Sequence, residues 1–489
     1  MIWTLMTIMI VVTALASVVS LGAPQAWVAE WANVTASVVD LVLILWVLVL
    51  VPSHGIVGAD SFLIIDPFGV WVLVCLGVVY LAATVYARGY LRGQNRSTRS
   101  LRHFYALFAC FALVMILTPI QNNPGLYWIA IDLTTLVSAL LVGLEPHRRA
   151  TEAAWKYLVL VAVGLSLALI GTVLFYFAGT FISGQSYPMT WQSFAKIAPR
   201  ADPSLLLVAF LLVLVGYGTK VGLAPMHTWL PDAHSEGPTP VSAMLSGGLL
   251  NCAMLGIVRY LGIMRTTIVG NYANTALVVL GAASVVVAAL FITRQRSIKR
   301  LAAYSSIEHM GIIALGFGFG GVLGTVGALY QMLNHSLTKS AVFFGAGNSI
   351  EAFGSRQIAG IRRVADFFPV MGATWLAAAV AITGAPPFGL FLSELTIARG
   401  GLLGPNAWAV GVMGVALIVI FVGFMGHFRR MYFTRARRSQ VEQARRESLP
   451  ITSVAPMVVA VTAVLVLGVW WPHPLWVFFT QVASAVGGR

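Results

Sequence analysis

Uninterrupted apolar runs recur from one end of the chain to the other, and they dictate the fold class. Stretches such as TALVVLGAASVVVAALFI (275–292) and WAVGVMGVALIVIFVGFM (408–425) are each about long enough, at 1.5 Å per helical residue, to cross a hydrocarbon layer roughly 30 Å thick. The runs are continuous rather than alternating, which excludes an outer-membrane barrel. Only 9% of the 489 residues are charged, against about 25% in soluble domains. A soluble enzyme, a disordered chain and a disulfide-stapled secreted domain are excluded on that ground. The expectation is an all-α polytopic membrane protein in one transmembrane domain, 1–489.

Apolar segments lie near 3–22, 33–53, 67–87, 103–120, 126–144, 153–179, 204–224, 239–263, 274–293, 302–320, 322–348, 367–399, 407–428 and 453–471. That reading predicts about 14 transmembrane helices. The N-terminal MIWTLMTIMI has no basic region before its apolar stretch, so it reads as a retained span. Charge placement tests the count. The net charge is +14, which in a soluble chain would suggest nucleic acid. Here most basic residues fall in alternate connections: Arg88–Arg102, Arg148–Lys156, Arg294–Arg300, Arg356–Arg363 and Arg429–Arg446. Such alternation is topogenic, and it places those loops in the cytoplasm and both termini outside. No nucleic-acid partner is expected. Cys75, Cys110 and Cys252 sit in apolar stretches without ligand spacing, so no cluster or structural metal is expected.

Three basic residues escape the loops. Arg259 lies near a helix end and is expected to snorkel. Lys220 and Lys339 lie deep in apolar segments, where an ionisable group is costly and normally faces a polar interior. Other titratable or polar groups share that depth: Asp132, Asn251, Glu308, His309, His335 and Glu394. His335 and Lys339 are four apart, on one helix face. Two segments are also interrupted. Gly216, Gly218, Gly222 and Pro225 break the seventh, beside Lys220; Gly384, Pro386, Pro387 and Gly389 break the twelfth, ahead of Glu394. Broken helices at matching places predict two inverted five-helix repeats, at about 103–264 and 272–434.

Plainer readings exist for each feature alone. His309 could be a satisfied packing residue, the prolines a kink, and His335 with Lys339 an interhelical anchor. PMHTWLPDAH could be a metal site, but its spacing fits no closed site. A bis-His haem would need paired axial histidines on facing spans. Taken as a set, titratable groups on at least five spans point to a proton or ion path.

KVGLAPMHTWLPDAHSEGPTPVSAMLSG (220–247), IKRLAAYSSIEHMG (298–311) and NHSLTKSAVFF (334–344) resemble the proton-translocating, antiporter-like membrane subunits shared by respiratory complex I, the multisubunit cation/proton antiporters and the membrane-bound group 4 hydrogenases. SSIEHMG, LTTLVSALLVGL with EAAWKY, and GAPPFGLFLSE look most like component F of the hydrogenase-4 type. The resemblance implies that Asp132 and Lys220 form the coupling ion pair of a first half-channel. Asn251 stands where many relatives carry a lysine, implying a water-mediated central relay. His335 and Lys339 match the central pair, and Glu394 the exit residue. His309 completes the relay, and Pro225, Pro386 and Pro387 mark the broken helices. The implied protein is a non-catalytic proton-pumping subunit of a membrane-bound redox complex, without a cofactor or redox centre of its own. Its implied partners are other membrane subunits, a peripheral redox arm, the lipid bilayer and protons. The alternatives are a secondary cation/proton antiporter subunit and a membrane anchor of an inorganic-carbon or other non-redox complex. The implied location is a bacterial or archaeal cytoplasmic membrane.

Overall fold

The computed structural model describes residues 1–54, 56, 62–94, 96–184, 186–435 and 449–486. Of the basic residues in the Arg429–Arg446 connection, Arg437, Arg438, Arg445 and Arg446 lie outside the described residues. The chain is an all-α polytopic membrane protein; among the described residues there is no strand, and the isolated bridges Leu63–Gln121 and Ser297–Gln357 merely tie loops together.

The described helices of more than eight residues are α1 (Ile2–Gly22), α2 (Ala26–His54), α3 (Pro67–Arg92), α4 (Thr98–Leu117), α5 (Pro124–Val142), α6 (Arg148–Ser183), α7 (Pro203–Val221), α8 (Thr239–Met264), α9 (Gly270–Ile292), α10 (Ile298–Phe319), α11 (Gly321–Phe353), α12 (Pro369–Ile382), α13 (Gly389–Leu402), α14 (Trp408–Phe433), α15 (Ile451–Val469) and α16 (His473–Ala485). Eleven described helices, α1 to α9 with α14 and α15, are long and apolar enough to cross a membrane. Three expected spans fall elsewhere. Those in α10 and α11 carry Glu308, His309, His335 and Lys339, and the twelfth is split into α12 and α13, of 14 residues each.

The molecule is inside-out relative to a soluble fold. Polar side chains collect in the middle, and Val49, Val163, Phe181, Val415 and Val422 point outward. Lipid solvates such a surface without penalty. The apolar window of α8 is wholly buried, packed against α3, α7 and α11. Beyond Trp471 the chain forms α16, 13 residues long, whose Phe478 and Phe479 pack on Trp71.

Arg259 does not snorkel. Its side chain is 7% exposed; Nη2 donates to Asp66 at 2.7 Å and to the Pro119 carbonyl at 2.9 Å, and Nη1 donates to the Gln121 carbonyl at 3.1 Å. The reason is local: Asp66 caps α3 by accepting from Gly69 N–H at 2.5 Å, which leaves its second oxygen for the guanidinium.

Candidate functional site

Both interruptions are built so that the freed backbone groups find partners, as a low-dielectric setting demands. In the first, Gly222 adopts φ 80°, ψ 31°, and Leu223 N–H bonds the Gly218 carbonyl at 2.9 Å while Gly222 N–H bonds Thr219 at 3.2 Å. This six-to-one, five-to-two pair is a Schellman stop, with Pro225 just beyond it. The loose ends are closed by side chains: Ala224 N–H donates to Ser284 Oγ at 2.8 Å, and Trp229 Nε1 donates to the Thr219 carbonyl at 2.7 Å. In the second, the carbonyl of Ile382 would ordinarily accept from the N–H four residues on. That residue is Pro386, which has none. The carbonyl is met instead by His309 Nε2 at 2.8 Å.

That bond settles the state of His309. Gln331 Nε2 lies 2.9 Å from His309 Nδ1. The Gln331 amide is itself oriented, because its oxygen accepts from Ser393 Oγ. Nδ1 is therefore the acceptor, and Nε2 carries the proton donated to Ile382. Gln331 Nε2 also reaches Glu394 Oε1 at 3.3 Å, while His309 Nδ1 and Glu394 Oε1 stand 3.9 Å apart. Glu394 is buried at the base of a hollow of about 490 Å³, which Thr383, Gly384 and Pro386 of the break share with Leu417 and Phe421 of α14. Gly384 has φ 67°, and a Cβ there would stand on the Glu394 carboxylate.

Deeper in, the His309 and His335 rings lie face over face at 5.4 Å. Stacked in this way their nitrogens do not converge on a common centre, a geometry unsuited to two axial haem ligands. His335 Nε2 lies 3.5 Å from Ser246 Oγ, which bonds Ser306 Oγ at 2.8 Å. Ser246 sits in a π-helical turn, Leu245–Leu249, within α8. Such turns loosen the backbone ladder at functional positions. Here the Gly247 carbonyl accepts from Asn251 Nδ2 at 3.0 Å and Ser336 Oγ at 2.7 Å, and Asn251 Nδ2 also donates to Ser336 at 2.9 Å. Lys339 Nζ donates to the Ala302 carbonyl at 2.6 Å and to Ser305 Oγ. Glu308 is fully buried with both carboxylate oxygens lacking a hydrogen-bond partner.

Lys220 belongs to a separate cluster, and there the expected ion pair is not made. Its Nζ donates to Thr135 Oγ1 at 2.8 Å and Tyr157 OH at 2.8 Å, and Tyr157 OH bonds Ser138 Oγ at 2.7 Å. Among the described residues no salt bridge joins Asp132 to Lys220. The physical reason is that Thr135, one turn beyond Asp132, holds the ammonium, whereas Asp132 is half-buried between the outward-facing Ile129 and Leu133. In the metal-like segment, Asp232 pairs with Arg300 at 3.1 Å and His234 stacks on Phe343 at 5.1 Å, so these side chains turn to different partners.

The structure thus brings His309, His335 and Glu394 into one cluster, sets Lys339 of α11 against Ala302 and Ser305 of α10, and links Asn251 to α11 through Ser336. The sequence reading gave no role to Gln331, Tyr157, Thr135, Ser246 or Ser306. Gln331 carried a usable signal: Gln331, His335 and Lys339 follow at intervals of four and share a helix face.

Residues 122–425 match the transmembrane family described as NADH:quinone oxidoreductase/Mrp antiporter. The chain is 38% identical to the Hydrogenase-4 component F homolog of Methylacidiphilum infernorum (isolate V4), over 76% of this chain and 78% of that one. It is 30% identical to NADH-quinone oxidoreductase subunit N of Desulforudis audaxviator (strain MP104C), over 83% and 82% respectively. In fold it is similar to a chain of the membrane-bound sulfane sulfur reductase (MBS), an archaeal respiratory membrane complex, with a TM-score of 0.87 at 22% identity, covering 99% of this chain and 97% of that one.

Proposed function

Because the chain belongs to the NADH:quinone oxidoreductase/Mrp antiporter family of membrane proteins, we propose that it is a proton-translocating membrane subunit of a membrane-bound redox complex, of the hydrogenase-4 kind. The observation that carries this reading is the buried row from Glu394 through Gln331 and His309 to His335, which starts at a hollow and ends among serine hydroxyls. Titratable side chains at this depth are costly and serve conduction more readily than packing.

The row suggests how a proton would pass. Glu394 takes a proton from the hollow on a carboxylate oxygen. Rotation of the Gln331 amide away from His309 Nδ1 frees that nitrogen's lone pair, 3.9 Å from Glu394 Oε1, a gap that one water or a small side-chain shift closes. Transfer from the Glu394 carboxylic acid to Nδ1 would leave a Glu394 carboxylate and a His309 imidazolium; turning of the ring so that Nε2 leaves the Ile382 carbonyl, and release of that proton to a neutral His335 nitrogen, would return His309 to a neutral form. In the other cluster, approach of Asp132 to Lys220 would stabilise the ammonium, and withdrawal to the separation seen here would remove that stabilisation. Such movement is what a neighbouring subunit could drive.

The two repeats, about 103–264 and 272–434, are part of this reading. In each, the third helix is the longest, α6 with 36 residues and α11 with 33, and the fourth is interrupted. With α10, α11 and the α12–α13 pair also crossing, the spans would number fourteen and both termini would face outward from a bacterial or archaeal cytoplasmic membrane. The redox chemistry would reside in a peripheral arm held by other membrane subunits. A secondary cation/proton antiporter would use the same residues and remains the rival. Proton uptake into vesicles containing the purified complex tests the proposal. Lys220→Ala and Glu394→Gln should each abolish most uptake in complexes that assemble normally. Full uptake in both variants would refute it, and uptake driven by a sodium gradient without electron donor would favour the antiporter.

A further inference from the structure

The residues already discussed begin at α5, yet α2 carries its own line of buried polar side chains. Glu30, Asn33, Ser37 and Asp40 follow at intervals of three, four and three, so they share one face. All four are buried, and Asn33, Ser37 and Asp40 are completely so. Three other helices supply polar groups to the same seam. From α1 come Thr13 and Ser20: Asn33 Nδ2 donates to Ser20 Oγ at 3.0 Å, and Thr13 Oγ1 lies 2.6 Å from Asp40 Oδ2. From α3 come Tyr80, Arg88 and Arg92, and from α4 comes Tyr105. One end of the seam is an ion pair at an arginine-rich face, where Glu30 accepts from Arg92 Nη2 at 2.7 Å and Arg88 Nε at 3.4 Å. The other end is Asp40, ten residues or about 15 Å along the helix, roughly halfway through a hydrocarbon layer.

The hydrogen-bond count along this seam does not close. Asp40 Oδ1, Asn33 Oδ1, Tyr80 OH and Tyr105 OH are all buried without a partner. An apolar interface would leave no such atoms, since each costs about 1–3 kcal/mol. Thr13 supplies a further constraint. Its single hydroxyl hydrogen is within reach of both the Met9 carbonyl, at 3.0 Å, and Asp40 Oδ2. Both bonds exist together only if Thr13 donates to Met9 while a protonated Asp40 donates to Thr13. With Asp40 ionised, one bond is lost. Beside the seam Ala16, Ala36 and Ala109 form a small cluster apart from the main core, and such short side chains let α1, α2 and α4 approach closely around the polar face. Among the described residues the only group that hydrogen-bonds Asp40 is Thr13, and no salt bridge reaches it.

We propose that Asp40 is a second proton-loading site of this subunit, reached from the arginine-rich face through the polar seam between α1, α2, α3 and α4. Loading converts the Asp40 carboxylate and a hydronium ion from the aqueous face into a carboxylic acid and water, with the new O–H bond satisfied by Thr13. Its part in transport rests on the proposed function; its occupancy by a proton does not. In the purified complex, infrared difference spectra should show a protonated-carboxyl band that shifts in heavy water and is absent from Asp40→Asn. Asn33→Leu, which plugs the seam without touching Asp40, should slow that shift at least about tenfold. A band unaffected by Asp40→Asn, or exchange unaffected by the plug, overturns the proposal. In vesicles, Asp40→Asn should lower proton uptake several-fold and Asp40→Glu restore it. Normal uptake in Asp40→Asn with lost uptake in Lys220→Ala overturns the loading role alone. Normal uptake in both overturns the proposed function, and the infrared exchange then decides whether Asp40 holds a proton.

Discussion

Replacing Gln331 with methionine isolates the step between Glu394 and His309. Methionine is close to glutamine in length and volume, so the change removes polarity with little change in packing. Two bonds disappear, from Nε2 to His309 Nδ1 at 2.9 Å and to Glu394 Oε1 at 3.3 Å. Ser393 is not orphaned, since its hydroxyl also reaches the Leu390 carbonyl at 2.9 Å and the Gly389 carbonyl at 3.1 Å. Two buried acceptors are left, at a cost of about 1–3 kcal/mol each. The bond to the carboxylate is the one that orients the acid toward the imidazole. A hydrogen bond to a charged group contributes about 1.5–3 kcal/mol, and each 1.4 kcal/mol of barrier is about tenfold in rate. If that orientation limits transfer, Gln331→Met should slow proton uptake by roughly tenfold to a hundredfold. The assay is the initial rate of internal acidification in vesicles carrying the assembled complex, with assembly checked by native electrophoresis. Uptake at the unmodified rate in a correctly assembled Gln331→Met complex would refute the orienting role of Gln331 between Glu394 and His309.

Two further substitutions test the geometry around the site. Gly384→Ala places a methyl group on the Glu394 carboxylate and adds a side chain at φ 67°, worth about 1–2 kcal/mol of backbone strain alone; uptake should fall steeply with assembly retained, and unchanged uptake would show that the carboxylate can leave the break freely. Arg259→Gln removes the guanidinium from the partly buried Asp66, which keeps only its cap bond to Gly69, and losing a hydrogen bond between charged groups costs about 1.5–3 kcal/mol. Thermal unfolding of the purified complex should come at lower temperature, and an unchanged midpoint would mean that the pair is dispensable.

What could be read from the residues alone follows from how local each signal is. Helix positions were legible because apolar length is a local property, and the two breaks because Gly222 with Pro225, and Gly384 with Pro386, act on their own backbone. Lys220, His309, His335, Lys339 and Glu394 stood out because charge inside an apolar run is conspicuous. Their partners did not. Lys220 is held by the hydroxyls of Thr135 and Tyr157 rather than by Asp132, and only the packing of α5 and α6 around α7 decides between them. Gln331 is uncharged and looked ordinary, though it joins two titratable groups. Arg259 looked like a surface residue near a helix end until the fold delivered Asp66 to it from 193 residues away.

The polarity of α10 and α11 bears on how the chain enters the membrane. A lysine alone at the centre of a lone helix costs about 2.5–3.5 kcal/mol on insertion scales, and α11 adds His335, Gln331 and Asn334 to that burden. The acceptors for Lys339 are the Ala302 carbonyl and Ser305, both on α10. Only Gly320 separates the two helices. A newly made α10 released singly into lipid would carry Glu308 and His309 with nothing opposite them. The pair should therefore leave the insertion machinery together, as a hairpin in which Lys339 and His309 Nδ1 are already met, with the bond from His309 Nε2 waiting for Ile382 of α12, so the order in which these helices are synthesised would not be the order in which they become lipid-soluble.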